Sequence, residues 1–286
     1  MKTLHLAVTA ALALAVGGCS VQSADVAIAM ADAVVPAAHA STMSATVRSN
    51  VVTQPLLQAA SLVPVQLSAL RAIAPKADPG VLALALEARQ CAVGSGDIEA
   101  DSRLAVIDYS RPSTERRMWV FDMADAAAPK LLYNEYVAHG QGSGGNVPTR
   151  FSNQDGTHAT SLGSFVTAET YNGSNGYSLR MDGRDEGFND NARSRAIVIH
   201  GADYVNPANF ASLGRAGRSW GCPALRQAVA RDMIDVLKGG NLLFSYADDA
   251  KFLAKGQSFA CDGRSANQIL AAARSPQSGN IVAAAP

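Results

Sequence analysis

Apolar positions along this 286-residue chain fall into short β-branched runs and a few longer stretches with helical spacing. The clearest block covers 195–246. Ala196–Ile199 is a compact apolar run that predicts a buried strand, and it ends at His200 and Gly201. A loop rich in Gly, Pro and Asn then leads to Ser219-Trp220-Gly221-Cys222-Pro223. After it, Leu225, Val229, Met233, Val236 and Leu237 recur near helical spacing, Gly239-Gly240 stop the run, and the apolar end of 241–246 predicts another strand. Upstream, Leu104–Tyr109, Met118–Met123 and Leu131–Ala138 read as an antiparallel meander, and Phe165–Thr170 and Tyr177–Met181 as further short strands. Before them, Leu56–Leu70, weakened by Pro64, and Val81–Cys91, an amphipathic stretch behind Asp78-Pro79, predict a short helical segment. The pattern is mainly β with a helix after Cys222.

The ends of the chain add organisation. Lys2 precedes an apolar stretch, Leu4–Val16, too short to span a bilayer and of signal-peptide length. It closes on Val16-Gly17-Gly18-Cys19-Ser20, which resembles a bacterial lipoprotein signal with Cys19 as the lipidated new N-terminus. The competing cleavage site, after Ala38-His39-Ala40, lies far beyond the apolar region. Ser20 rather than Asp after the Cys resembles lipoproteins sorted to the outer membrane, so the expected place is the periplasm, on a lipid anchor. The organisation expected is a leader over 1–18, a tether over 19–54, the helical lead-in over 55–102, a catalytic domain over 103–262 and a poorly ordered tail over 263–286. Lys+Arg and Asp+Glu are 24 each, which leaves no basic footprint for nucleic acid. The Gly140–Gly145 loop lacks the Gly-Lys-Ser/Thr ending of a phosphate loop. No His-Glu-x-x-His or paired-Cys spacing suggests a metal, and no cofactor is expected.

Pro favours the first position of a helix, so Pro223 predicts Cys222 as an N-cap. A thiol there would face the positive end of the helix dipole, which lowers its pKa. Gly221 permits close approach of a substrate, and nearby N–H groups suit an oxyanion. His200, at a strand end, is the matching base, and Asp203, Ser219 or a backbone carbonyl would orient its ring.

These residues carry a resemblance. His200-Gly201-Ala202 followed by Ser219-Trp220-Gly221-Cys222 resembles the YkuD-type L,D-transpeptidases, and more closely the murein L,D-transpeptidase catalytic-domain family. It extends over Leu104 to Tyr246 and includes Asp108-Tyr109-Ser110-Arg111-Pro112-Ser113, Val137-Ala138-His139-Gly140 and Ser161-Leu162-Gly163. The chain departs from the better-known members in two places. Trp220 stands where they have a second His, and Ala224 where they usually have an Arg, with Arg226 two further on.

The resemblance implies an L,D-transpeptidase-like β fold and a cysteine acyltransferase that acts on peptidoglycan stem peptides. Cys222 would cleave the bond before the terminal D-Ala of a tetrapeptide and pass the acyl group to an amine, giving a 3→3 cross-link. Alternatives are an L,D-carboxypeptidase, a hydrolase of cross-links or of attached lipoproteins, and a non-catalytic wall-binding lipoprotein. Arg218 and Arg215, just before the nucleophile, are candidates to bind a stem carboxylate, against solvated loop charges. Trp220 is either a wall of the acyl pocket or core under the loop, and Ser219 belongs to the same substrate-facing stretch. His139 either lines the cleft, replaces the second His, or is an exposed loop residue. His158 has no supporting context. With Cys19 lipidated and Cys222 kept free to react, Cys91 and Cys261 are left to pair as a disulfide; the alternative is two small buried hydrophobes.

Overall fold

The structure, a computed structural model, describes residues 53–275. The leader 1–18, Cys19, the tether up to residue 52 and the tail beyond 275 lie outside the described residues.

Helix α1 (Thr53–Ile73) runs through Pro64 without ending there, and it packs on α2 (Pro79–Gly94) through Val63 and Leu70. Asp78 caps α2, its Oδ1 accepting the Gly80 and Val81 N–H groups at 2.8 and 3.0 Å, with Pro79 in the first turn where its missing N–H costs nothing. α2 is not amphipathic as the spacing suggests. It is buried from Gly80 through Arg89 because it lies between α1, the sheet and a C-terminal helix. The polar residues in that run are paired: Arg89 donates to the Ser102 carbonyl at 3.1 Å, and Glu87 meets Arg264.

Nine strands follow: β1 (Leu104–Asp108), β2 (Met118–Asp122), β3 (Lys130–Glu135), β4 (Val137–Ala138), β5 (Gly163–Gly173), β6 (Gly176–Gly183), β7 (Val198–Ala202), β8 (Ala224–Arg226) and β9 (Leu242–Tyr246). They form one sheet in the order β3-β2-β1-β9-β5-β6-β7-β8-β4, parallel at β1–β9 and β7–β8 and antiparallel elsewhere. The stretch 131–138 reads as one strand by pattern, but it is two. Only Tyr136 separates β3 from β4, which lie at opposite ends of the strand order, so the sheet curls into a nearly closed barrel. Polar contacts seal the seam. Glu135 accepts Arg226 Nε and Nη2 at 2.8 and 2.6 Å, and the buried Arg117 donates twice to the Val137 carbonyl at 3.2 and 3.0 Å.

Two further elements differ from the sequence pattern. The helix α4 (Gln227–Leu237) starts five residues after Cys222 rather than at Pro223, because β8 intervenes. Ala224 and Leu225 pair with β7 on one side and β4 on the other, so a strand gives both backbone edges partners. Pro223 then sits just before the strand, where no ladder N–H is needed. After the short α3 (Phe210–Leu213) and α5 (Ala250–Lys255), the expected tail instead carries α6 (Ala266–Arg274). A Ser265–Gln268 capping box starts α6, and Ile269, Leu270 and Ala273 bury it on α2. Cys91 of α2 is disulfide-bonded to Cys261, just before α6. No helix among the described residues is long and apolar enough to cross a membrane.

Candidate active site

The middle of β7, where His200 sits rather than at the strand end the pattern suggests, and the turn before β8 position the chemistry. His200 lies opposite Ala224 in the parallel β7–β8 ladder, and Cys222 comes two residues before Ala224, with its Sγ at the Val198 N–H. Helix α4 backs this region closely, since a Cβ on Gly201 would stand 2.8 Å from that of Ala230. His200 is buried, and its Nδ1 lies 2.9 Å from the Gly201 carbonyl. A carbonyl only accepts, so Nδ1 carries the proton and Nε2 keeps its lone pair. Burial pushes the His200 pKa down and so favours the neutral ring, against the opposing Gly201 bond. Of the three groups considered for orienting it, the backbone carbonyl does so, and Asp203 is exposed.

Cys222 is the free cysteine among the described residues, and it is buried. Its Sγ accepts the Val198 N–H at 3.4 Å and donates to the Ala196 carbonyl at 3.6 Å. Neither bond goes to the imidazole. Ala196 holds φ at 52°, a left-handed conformation that turns the chain into β7 and carries this carbonyl. The thiol is not at a helix start, so the expected dipole does not act on it. Its pKa is raised rather than lowered: burial dominates, while the Val198 N–H, the Arg195 charge and its own N–H oppose. Arg195 is the cation nearest in effect, and it is braced on the Ser152 and Ala159 carbonyls at 2.8 and 2.9 Å and on Ser161 Oγ at 2.6 Å. Nothing in the sequence separates it from Arg193, which ends in an exposed cluster with Glu169 and Asp182.

The 219–222 turn lies on a rail formed by 139–141. The Ser219 N–H donates to the His139 carbonyl at 3.0 Å, and the Gln141 N–H to the Ser219 carbonyl at 2.8 Å. Ser219 Oγ donates to the Cys222 carbonyl at 2.6 Å and accepts the Gly221 N–H at 3.2 Å. Ser219 therefore shapes the turn from inside and does not face substrate. Gly221 has φ 119°, and a Cβ there would meet Ile197 Cδ1 at 2.9 Å and the Ala159 carbonyl at 3.0 Å, so only glycine fits.

His139 is neither an exposed loop residue nor a base for the thiol. It is fully buried, and Arg117 Nη2 lies 2.8 Å from its Nδ1. A guanidinium only donates, so Nδ1 accepts and the proton sits on Nε2, which is buried without a hydrogen bond of good geometry. Burial first, and then the Arg117 charge, press the His139 pKa down to about 3. Arg117 itself falls to about 10 through burial. Arg218 spends Nη1 on the Gly144 carbonyl at 2.7 Å, and Arg215 on the Ala216 carbonyl at 2.9 Å, so both brace loops beside the turn. Trp220 is not core: it is 71% exposed and stacks on His158, with centroids 4.6 Å apart and planes 6° apart. The pattern singled out Trp220 but not the histidine under it, because 158 and 220 meet only in the fold. Among the described residues no group of three His, Cys, Asp or Glu side chains is gathered for a metal ion.

Residues 73–246 match the family model of the L,D-transpeptidase catalytic domain. No curated protein matches. Solved structures with similarity include an L,D-transpeptidase from Mycobacterium smegmatis, at 15% identity and TM-score 0.30 over 52% of this chain and 59% of that one. Another is an L,D-transpeptidase from Mycobacterium tuberculosis H37Rv, at 14% identity and TM-score 0.29 over 52% of this chain and 58% of that one. The chain thus spans less than two thirds of the length of either. The family match itself takes in α2, all nine strands and the whole Cys222 turn, more than half of the sequence, and on it the chain belongs to the L,D-transpeptidase catalytic-domain family.

Proposed function

We propose that the protein is a peptidoglycan L,D-transpeptidase with Cys222 as nucleophile and His200 as base. The observation that carries this is the His200 tautomer: the Gly201 carbonyl holds the proton on Nδ1 and leaves Nε2 bare, and the buried thiol comes two residues before Ala224, the strand partner of His200. In the proposed reaction Sγ turns from the Ala196 carbonyl toward the imidazole, and Nε2 takes its proton. The thiolate then attacks the carbonyl of the third stem residue. A carbon–sulfur bond forms, the oxyanion draws on the backbone N–H of Cys222, and the amide to the terminal D-Ala breaks as the imidazolium protonates the leaving amine. A second stem's amine attacks the thioester, gives its proton to His200 and frees the thiol. Transfer to water would release a tripeptide. The long, loosely aligned contacts of Sγ suit a resting state, since catalytic bonds commonly tighten only with substrate bound.

Localisation belongs to the same proposal. The lipoprotein-type leader supports anchoring through Cys19 at the outer membrane, facing the periplasm. Cys19→Ala should move the protein from the membrane to the soluble fraction, and unchanged membrane retention would contradict the anchor.

Products decide the reaction. Incubation with a disaccharide tetrapeptide should release D-Ala and yield a 3→3 linked dimer. Tripeptide alone would place water as the acceptor, and no D-Ala release from folded protein would defeat the transpeptidase reading.

A further inference from the structure

We propose that Trp220, backed by His158, is a stacking platform for a sugar ring of the glycan strand, engaged while the attached stem peptide occupies the Cys222 site. This rests on the peptidoglycan reading above and names a second part of the same substrate.

Trp220 is the most exposed of the large hydrophobic side chains among the described residues, at 71%. An indole carries a large apolar area, and leaving it in water beside an active site forgoes the stabilisation its burial would give. One of its faces is covered by His158, stacked with its plane within 6° of parallel. The imidazole is itself held: its Nδ1 lies 3.0 Å from Gln141 Nε2, and the His158 carbonyl accepts the Gly142 N–H at 2.9 Å. His158 sits at φ 50°, a left-handed conformation fixed where 157–158 pass close over Gly140 and Gly142. The indole is therefore presented as a fixed, flat, one-sided surface. Such preorganisation lowers the ordering cost of binding.

The shape decides what fits. An apolar side chain would need walls, and Trp220 offers one plane. A pyranose presents a face of C–H groups, which packs on such a plane while its hydroxyls stay in water. Reach agrees. The attacked carbonyl belongs to the third stem residue, so the sugar lies up to about 10 Å from it along an extended stem. Trp220 and Cys222 are two residues apart, so their Cα atoms are separated by at most about 7 Å, and the indole adds its own length.

The chain contains two tryptophans, and Trp119 is only 1% exposed, so iodide-quenchable emission reports on Trp220. In full-length Cys222→Ala protein, titration with peptide-free N-acetylglucosaminyl-N-acetylmuramic acid should shift that emission to the blue and shield it from iodide. D-Ala release by the wild-type protein, Trp220→Ala, Trp220→Phe and His158→Ala is then compared on disaccharide tetrapeptide and on free tetrapeptide. The loss in kcat/KM for Trp220→Ala should be about tenfold larger on the sugar-bearing substrate, mostly through KM, with Phe restoring part of it. Equal losses on both substrates would overturn the proposal and make Trp220 a wall of the acyl pocket. An unaltered emission spectrum at saturating disaccharide would overturn it as well. No turnover of either substrate would defeat the transpeptidase reading, while the titration would still report on the sugar.

Discussion

At the scale of single residues, burial and the Ala196 carbonyl favour the protonated thiol of Cys222, the Val198 N–H opposes them, and Arg195 is the one side-chain charge that favours the thiolate. Alkylation by iodoacetamide should therefore be slow at neutral pH and rise only above the ordinary thiol range. Arg195→Met should slow it a further few-fold at a given pH, because removing a nearby positive charge raises a thiol's pKa. An unchanged rate–pH profile would show that Arg195 does not reach the sulfur. Gly221→Ala should cost about 2 kcal/mol or more in chemical denaturation, since an L side chain meets both a left-handed φ and two contacts near 3 Å. Cys222, His200 and Gly221 were legible because their chemistry is local: a thiol beside a glycine, and a histidine ending an apolar run. Arg195, His158 and the burial of His139 were not, since each depends on partners far along the chain.

Among the elements, β8 and α6 show where pattern reading stops. Ala224-Leu225-Arg226 has the apolar spacing of a helix start, yet it is a three-residue strand because β4 and β7 leave a gap that only a strand fills. Periodicity carries no information about such a vacancy. The segment after Cys261 reads as a tail because its composition is small and polar, but four residues of α6 are buried, and the helix packs on α2. The Cys91–Cys261 bond ties this helix down across 170 residues of sequence. Replacing both cysteines by Ala should lower stability by about 2–4 kcal/mol. Equilibrium denaturation with matched slopes would measure that loss, and a loss near zero would show that α6 docks without its staple.

At the scale of the whole molecule, closure of the sheet concentrates buried charge at the seam, where Arg117 and His139 sit without a carboxylate between them. His139 stays neutral in the folded state down to about pH 3, whereas an unfolded histidine takes its proton near its ordinary value. Falling pH therefore adds a proton to the unfolded chain first, and stability drops by up to about 1.4 kcal/mol per pH unit. His200, also depressed, acts with the same sign. Asp108 and Glu87, raised by burial, act the opposite way at lower pH, so the histidine slope is best read from about pH 6.5 to 5. His139→Gln should flatten that slope; an unaltered slope would show that the ring is protonated in place. The mainly β class and most strands were readable from alternation and turn residues. Closure was not, because nothing in 131–138 announces that its two halves pair at opposite ends of the order.

The central claim is that Cys222 forms a thioester with the stem peptide. Intact-protein mass spectrometry after mixing with disaccharide tetrapeptide tests it directly, with Cys222→Ala alongside. The account predicts an adduct on the wild-type protein equal to the substrate less D-Ala, mapped to Cys222 and absent from the variant. An adduct that persists in Cys222→Ala, or D-Ala release undiminished by that change, would contradict it.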